Sequence, residues 1–416
     1  MATHCFIFGN NPILSLAEYC QFELRQGAPG TIRDITSQAI ITTGKPIDYA
    51  DWQRQCGGLI KSGRVIEERS NMDEIMFLLT PTFLRQHVFA QDKRKVNFGI
   101  SLYGQQSHQY RDALNKLGLS LKKSLQKENV SARLVMNTDG PLSSVQVTKN
   151  YLIERGAEIL IIMGVHACYI GVTAAVQDFE DYSQRDYDRP QRDARSGMLP
   201  PKLAKIMLNV SGAHPDQKLL DPFCGSGTII QESLLLGWQD VIGSDISEKA
   251  IADSTENVRW LHKRYPQLKG AASFSVVDVA TLAQHMPIDS IDAIVTEPYL
   301  GPPIRQEPEV IEMLTIIQEL ESLYLSAFRA FAQILKYHGR IVIVFPLFKT
   351  RHGIYSLKIL ETLQAMGFER LSPIPDRVSL FTKVGPTARG SLIYHREGQR
   401  VERELFLFEY KKPRSV

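Results

Sequence analysis

The sequence predicts an α/β protein in two parts. The C-terminal half is a twisted, mostly parallel sheet with helices on both faces, and a smaller α/β region precedes it. Three observations predict this. From about Lys218 short strand-like runs alternate with helical patterns, as a parallel sheet requires. The first of these runs leads into a glycine-bearing loop, Asp221-Pro-Phe-Cys-Gly-Ser-Gly-Thr228. A polar connector over 182–201 separates this half from what comes before.

Composition sets the outer limits. The chain has 416 residues, 44% hydrophobic and 22% charged, with 28 Gly and 21 Pro. Those values exclude a fibrous or disordered chain and allow a packed core in each part. The five cysteines, Cys5, Cys20, Cys56, Cys168 and Cys224, are far apart and form no C-x-x-C pair. They fit free thiols in a reducing compartment and not a disulfide framework or a zinc site. No metal-ligand cluster is expected from the ten histidines. No signal peptide is evident, and a cytoplasmic protein is expected. The apolar stretch Ala157 to Val176 has the length of a membrane helix. Its β-branched runs, broken by Gly164 and Gly171, favour two buried strands, so no membrane is expected.

In the N-terminal part, Thr3–Phe8 reads as a strand and Gly9–Pro12 as a turn. Ser15-x-x-Glu18 has the spacing of a capping box, in which each side chain satisfies a free backbone N–H at a helix start. Ser37–Thr42 reads as a strand and Met72–Leu79 as a helix capped by Asn71. Val96–Tyr103 is a strand, followed by a helix with Leu114, Leu117, Leu121 and Leu125 on one face. Lys116, Lys122, Lys123 and Lys127 decorate the rest of that helix. Arg133–Met136 is a strand, and Ser143-x-x-Gln146 opens a helix running to Arg155. From Lys93 to Arg155 there are 11 Lys and Arg against 4 Asp and Glu, +7 on a chain of net +3. A basic segment of this kind is the footprint of a polyanion partner or a solvated helix face.

In the connector, Arg185, Arg189, Arg192 and Arg195 interleave with Asp186, Asp188 and Asp193. Gly197-Met-Leu-Pro-Pro201 then leads into a helix over Lys202–Val210, with Pro201 suited to its first turn. Strands are expected at Lys218–Leu220, Val241–Ser244, Phe274–Val277, Ile291–Val295, Arg340–Phe345 and Phe368–Leu371. The longest helix is expected from Val310 to Lys336.

The chemistry should lie at the C-terminal ends of these strands. In the glycine loop, Gly225 and Gly227 allow close backbone approach to a ligand, and the helix after them offers free N–H groups. The loop lacks the G-x-G-x-x-G of dinucleotide folds. Asp245, ending the next strand, can accept both hydroxyls of a ribose or cap a helix. Asp278, after the third, is placed to meet an adenine edge. The fourth strand leads into Thr296-Glu-Pro-Tyr-Leu-Gly-Pro-Pro303. Four successive strands each leading into an acid are hard to obtain from helix caps alone.

Together D-P-F-C-G-S-G-T, G-S-D, V-V-D and the acid-Pro-Tyr element resemble the class I S-adenosylmethionine-dependent amino-methyltransferases. The chain resembles most closely the THUMP-domain tRNA guanosine N2-methyltransferases of the guanosine-10 type, over nearly its whole length. The resemblance implies a Rossmann-like, mostly parallel seven-stranded methyltransferase domain at 201–416. It implies a linker at 179–200, a THUMP-like RNA-binding domain at 81–178 and a ferredoxin-like domain at 1–80. Ser391–Tyr394 and Leu405–Tyr410 would form the closing hairpin. Asp221, Phe223, Gly225 and Gly227 would line the methionine end of S-adenosylmethionine, Asp245 would hold its ribose and Asp278 its adenine. Glu297, Pro298 and Tyr299 would be the catalytic element, acting on a flipped base. The implied partners are tRNA, gripped by Lys116, Lys122, Lys123 and Lys127, and in some relatives a small activator subunit.

The family's usual tetrad is Asp or Asn, Pro, Pro and an aromatic. Here it is Glu297-Pro298-Tyr299-Leu300. The longer acid and the missing proline either compensate or mark a different target base or a lost activity. The alternatives are a DNA or rRNA amino-methyltransferase acting on adenine N6, cytosine N4 or guanine N2, and a non-catalytic RNA-binding relative.

Overall fold

The structure is a computed structural model that describes residues 1–27, 29–89, 95–105, 107–137, 139–192, 198–304, 308–382, 384–396 and 398–412. Lys93, Asp193, Arg195 and Gly197, named above, lie outside the described residues. The chain divides into two compact units. One comprises 1–16, 27–181 and 376–384, and the other 17–26, 182–375 and 385–416.

The first unit holds eight strands: β1 (Ala2–Phe8), β2 (Thr31–Ile35), β3 (Ala39–Gly44), β4 (Leu59–Arg69), β5 (Lys95–Gly104), β6 (Ser131–Val135), β7 (Gly156–Met163) and β8 (Cys168–Val176). They form one sheet in the order β2-β3-β1-β4-β8-β7-β5-β6. Strands from 1–80 and from 81–178 thus share a single sheet. The apolar stretch 157–176 supplies β7 and β8, an antiparallel pair. Its one acid, Glu158, is fully buried and takes hydrogen bonds from Ser101 Oγ at 2.5 Å and Thr173 Oγ1 at 2.6 Å. Lys61, equally buried, pairs with it. A buried charge needs such partners, which explains an acid inside an apolar run. Among the described residues no helix is long and apolar enough to cross a membrane.

Two local expectations are corrected. The first helix starts at Pro12 and not at a Ser15–Glu18 capping box. Pro12 has the fixed φ and missing N–H that suit a first turn. Ser15 sits inside the helix and donates to Gly58 O at 2.8 Å. Glu18 accepts from Asn209 Nδ2 at 2.8 Å. The second box is real: Ser143 and Gln146 cap each other's backbone. Its helix, however, ends at Lys149 instead of Arg155. Tyr151, at φ 54°, lies in the left-handed region and cannot continue it.

The second unit carries β9 (Lys218–Asp221), β10 (Asp240–Asp245), β11 (Ala271–Val276), β12 (Ile291–Thr296), β13 (Leu335–Thr350), β14 (Gly353–Ser356), β15 (Phe368–Leu371), β16 (Leu392–Tyr394) and β17 (Val401–Tyr410). Seven run in the order β11-β10-β9-β12-β13-β17-β15, with β14 and β16 attached to β13 and β17. β9 to β13 pair parallel, and β17 is antiparallel between β13 and β15. The helix Val310–Ile334 buries Met313, Leu320, Tyr324, Phe328 and Phe331. Phe328 meets Phe368 edge-on at 4.8 Å, and Phe345 meets Phe406 at 4.9 Å. This aromatic core fixes β13 and β17 beside the strand ends that carry the candidate site.

Candidate active site

Parallel pairing brings Asp221 opposite Gly243, two residues before Asp245, so the acids ending β9 and β10 come out on the same edge. Glu297 follows β12 directly. Around these ends lies a cleft of about 790 Å³. Asp221, Phe223, Gly225, Asp245, Glu297, Pro298 and Tyr299, all named from sequence, line it.

Asp221 is buried at the cleft floor. Its Oδ1 accepts from Thr296 Oγ1 at 2.7 Å and from the Phe223 N–H at 3.2 Å. Among the described residues no hydrogen bond falls on Oδ2. Burial pushes the carboxyl up to about 7, the hydrogen bonds from Thr296 and Phe223 oppose the rise, and Asp245 and Glu297 add to it. The glycine loop runs through two left-handed residues, Gly225 at φ 52° and Gly227 at φ 80°. Beside Gly225 a Cβ would find only open space, whereas at Gly227 it would lie 2.9 Å from Ser254 Oγ. Gly225 therefore leaves room for a ligand, and Gly227 lets the loop pack on the helix Glu248–Arg264.

Asp245 is half-buried and ties the loop to its own strand end. Its Oδ2 accepts from the Gly225 N–H at 3.0 Å and its Oδ1 from the Ser247 N–H at 2.9 Å. The cap of the following helix is Ser247 and not Asp245. Each carboxylate oxygen has two lone pairs, so one acceptor site on each remains for a diol. Asp278 is placed differently. It is exposed, caps the short turn Val279–Gln284 through the Ala280 N–H at 2.9 Å, and is not among the cleft-lining residues. Gly227 also lies behind the lining.

Arg403, which sequence reading missed, organises the acid of the Glu-Pro-Tyr element. Its Nε donates to Glu297 Oε2 at 2.5 Å and its Nη2 to Glu297 Oε1 at 3.1 Å. Both side chains are largely buried, at 6% and 12% exposure. Burial acts to lower the Arg403 pKa, but the facing carboxylate outweighs it and the net direction is upward. The fork fixes the orientation of the Glu297 carboxylate, as a bidentate pair does. Tyr324, buried on the long helix, directs its hydroxyl at Val344 O (3.0 Å) and at Tyr299 O (3.4 Å). The Tyr299 ring, 57% exposed, stands at the cleft rim.

The lysines named from sequence are on the helix Ser107–Lys127 of the first unit. Lys116, Lys123 and Lys127 are exposed, and their spacing of seven and four residues aligns them in one stripe. Lys122 is half-buried and off that stripe. Among the described residues no group of His, Cys, Asp and Glu could hold a metal ion.

Residues 189–366 match the family described as RMKL-like, methyltransferase domain. A tRNA (guanine(10)-N2)-dimethyltransferase of Methanothermobacter thermautotrophicus is 37% identical over 106 residues, 25% of this chain and 28% of that protein. The protein of the same description from Methanocaldococcus jannaschii is 25% identical over 181 residues, 43% of this chain and 48% of that one. The matched stretches therefore span less than half of these relatives' own length. Among solved structures, TrmN from Thermus thermophilus superposes with a TM-score of 0.57 at 15% identity, covering 98% of this chain and 99% of that one. A possible methylase from Clostridium difficile 630 gives 0.55 at 13% identity, covering 100% and 99%. The fold is that of these proteins along nearly the whole chain.

Proposed function

We propose that the chain is an S-adenosylmethionine-dependent methyltransferase acting on the exocyclic N2 of a guanosine in tRNA, with guanosine 10 as the first position to examine. The observation that carries this reading is the Arg403-held carboxylate of Glu297 in the same cleft as the Asp221–Thr228 loop. The family match over 189–366 and the names of the sequence relatives support it.

The cleft fits such a cofactor. Gly225 leaves open space, Asp245 keeps two acceptor sites for a ribose, and Asp221 keeps Oδ2 for an ammonium. Asp278 would need to reach the adenine from outside the lining. The cofactor supplies an electrophilic methyl on a sulfonium sulfur, so the chain's work is mainly positioning. Glu297 offers only acceptors, one per oxygen beyond those Arg403 occupies. Guanine presents N1–H and N2–H side by side, whereas adenine and cytosine place a ring acceptor beside the amino group. The carboxylate therefore favours guanine, with the Pro298 carbonyl as a further acceptor. Glu297 and the Pro298 carbonyl would hold the amino hydrogens so that the N2 lone pair faces the methyl that the bound cofactor would supply.

A base in a helix must be turned out to reach such a cleft, and Tyr299 is placed to stack on it. Tyr299→Ala should lower kcat/KM about 10- to 100-fold, since stacking on an aromatic is worth roughly 1–3 kcal/mol per base. Steady-state kinetics on tRNA checks this. We also read 81–178 as a THUMP-like RNA-binding segment after a ferredoxin-like 1–80, with 179–200 as linker and the catalytic part at 201–416. Neutralising Lys116, Lys122, Lys123 and Lys127 together should lower the salt slope of tRNA binding by about 3. An unchanged slope would remove that helix from the interface. Transfer of labelled methyl from S-adenosylmethionine to tRNA, rRNA fragments or duplex DNA by the purified chain tests the substrate class. Labelled tRNA is expected. Label in DNA alone would overturn the reading, and label only after adding a small activator subunit would make that subunit a partner.

A further inference from the structure

The Glu297–Pro298–Tyr299 element is anchored before, within and after its turn, and the middle anchor is a buried hydroxyl. Before it, Arg403 forks the Glu297 carboxylate. After it, Gly301 turns at φ 98°. A Cβ there would lie 3.2 Å from Phe348 Cζ, 3.4 Å from Leu320 Cδ1 and 3.5 Å from Ile316 Cγ2. Glycine thus serves both the left-handed backbone and the close packing on the core. Between these points stands Tyr324, fully buried on the helix Val310–Ile334. Its ring meets Phe345 edge-on at 5.0 Å. Its single hydroxyl hydrogen faces two carbonyls, Val344 O at 3.0 Å and Tyr299 O at 3.4 Å. Val344 follows Ile343 on β13, and Ile343 pairs with Thr296 at the end of β12. The hydroxyl therefore ties the Tyr299 carbonyl to the strand beside the one that delivers Glu297.

Packing alone does not ask for this hydroxyl. Phe328, Phe345 and Phe348 share the same core cluster, and a ring without oxygen would fill the space as well. A buried hydroxyl is costly unless bonded, and this one is bonded to the backbone next to the cleft. The loop has a use for the tie. Pro298 has φ fixed at about −65° by its ring, but position 299 is a tyrosine and no ring fixes its φ. The Pro298 carbonyl lies in the planar peptide joining 298 to 299, between the Glu297 and Tyr299 anchors. Holding both anchors leaves that carbonyl little freedom.

We infer that Tyr324 is a positioning residue for methyl transfer. Its hydroxyl sets the Pro298–Tyr299 backbone from a neighbouring helix, as a second proline ring at 299 would set it from within the chain. The inference rests on the methyl-transfer reading above. Tyr324 is not among the cleft-lining residues, so it acts through the Pro298 carbonyl and the Tyr299 ring and not on the ligands themselves.

Tyr324→Phe removes the hydroxyl and keeps the ring. On the nucleic acid that wild type methylates, its kcat should fall about 10-fold, between the worth of one neutral hydrogen bond and the roughly 10²-fold cost of a 1 Å misplacement. The nucleic-acid KM should stay that of wild type. So should the affinity for S-adenosylmethionine and the number of cofactor sites per chain, both read by calorimetry. A kcat unchanged from wild type overturns the inference. A raised KM at unchanged kcat also overturns it, since the hydroxyl would then serve binding alone. So does a loss of rate matched by a loss of cofactor sites, since unfolded chain and not a displaced loop would explain it. If wild type transfers no methyl to tRNA, rRNA fragments or duplex DNA, the methyl-transfer reading itself falls, and this inference with it.

Discussion

Glu297→Ala should reduce methyl transfer to tRNA by about 10²- to 10³-fold with little change in cofactor affinity, the scale for losing one preorganised polar contact at a reacting centre. Arg403→Ala should come close to the same loss although Arg403 need not touch the base. Without it the Glu297 carboxylate is left largely buried and free to rotate, and a misplacement of about 1 Å costs roughly 10²-fold. The variant should also lose stability, on the order of 3–5 kcal/mol, because one half of a buried pair remains unpaired. Arg403→Lys keeps the charge but not the fork and should recover stability better than rate. The pair acts as a unit, so the double variant should be little worse in rate than either single one. Single effects that simply add would show that Arg403 and Glu297 work independently. Steady-state kinetics and denaturant unfolding of wild type and the four variants check this.

Asp221 gives the second large effect. Its carboxyl titrates at about 7 in the folded chain against an ordinary 3.8, chiefly through burial. Folded protein therefore binds more protons than unfolded protein between those values. The stabilisation is complete below about pH 4 and is lost as pH rises through 7, amounting to on the order of 4 kcal/mol. Asp221→Asn keeps the shape without the titration, so its stability should fall less from pH 5 to pH 8 than wild type's does. Parallel unfolding curves for the two proteins over that range would contradict this. A cationic ammonium at Oδ2 favours the ionised carboxylate, so binding S-adenosylmethionine near pH 6 should release a proton. Calorimetry in buffers of different ionisation enthalpy detects it in wild type and not in Asp221→Asn. The variant's affinity should fall about 100-fold.

What could be read from the sequence was local. The glycine loop declares itself because its left-handed turns and its helix start occupy eight consecutive residues. Asp221, Asp245 and Glu297 were legible because strand ends in a parallel sheet meet on one edge. Asp278 shows the limit of that rule. It too follows a strand, yet its carboxylate serves the next turn and stays outside the cleft lining. Ser15–Glu18 had the spacing of a cap, and Pro12 three residues earlier set the true start. Arg403 could not be found from spacing, since it is 106 residues from Glu297 and reaches it only because β17 lies antiparallel beside β13. Its signal, a lone arginine in Val401-Glu-Arg-Glu404, looks like any charged strand edge.

The central claim is that the Glu297–Pro298–Tyr299 element methylates guanine N2 in tRNA. Mass spectrometry of nucleosides from unmodified tRNA, treated with S-adenosylmethionine and either wild type or Glu297→Ala, tests it most directly. N2-methylguanosine formed by wild type and lost in the variant is the predicted result. A methylated adenine or cytosine, or N2-methylguanosine made equally well by Glu297→Ala, would contradict the account.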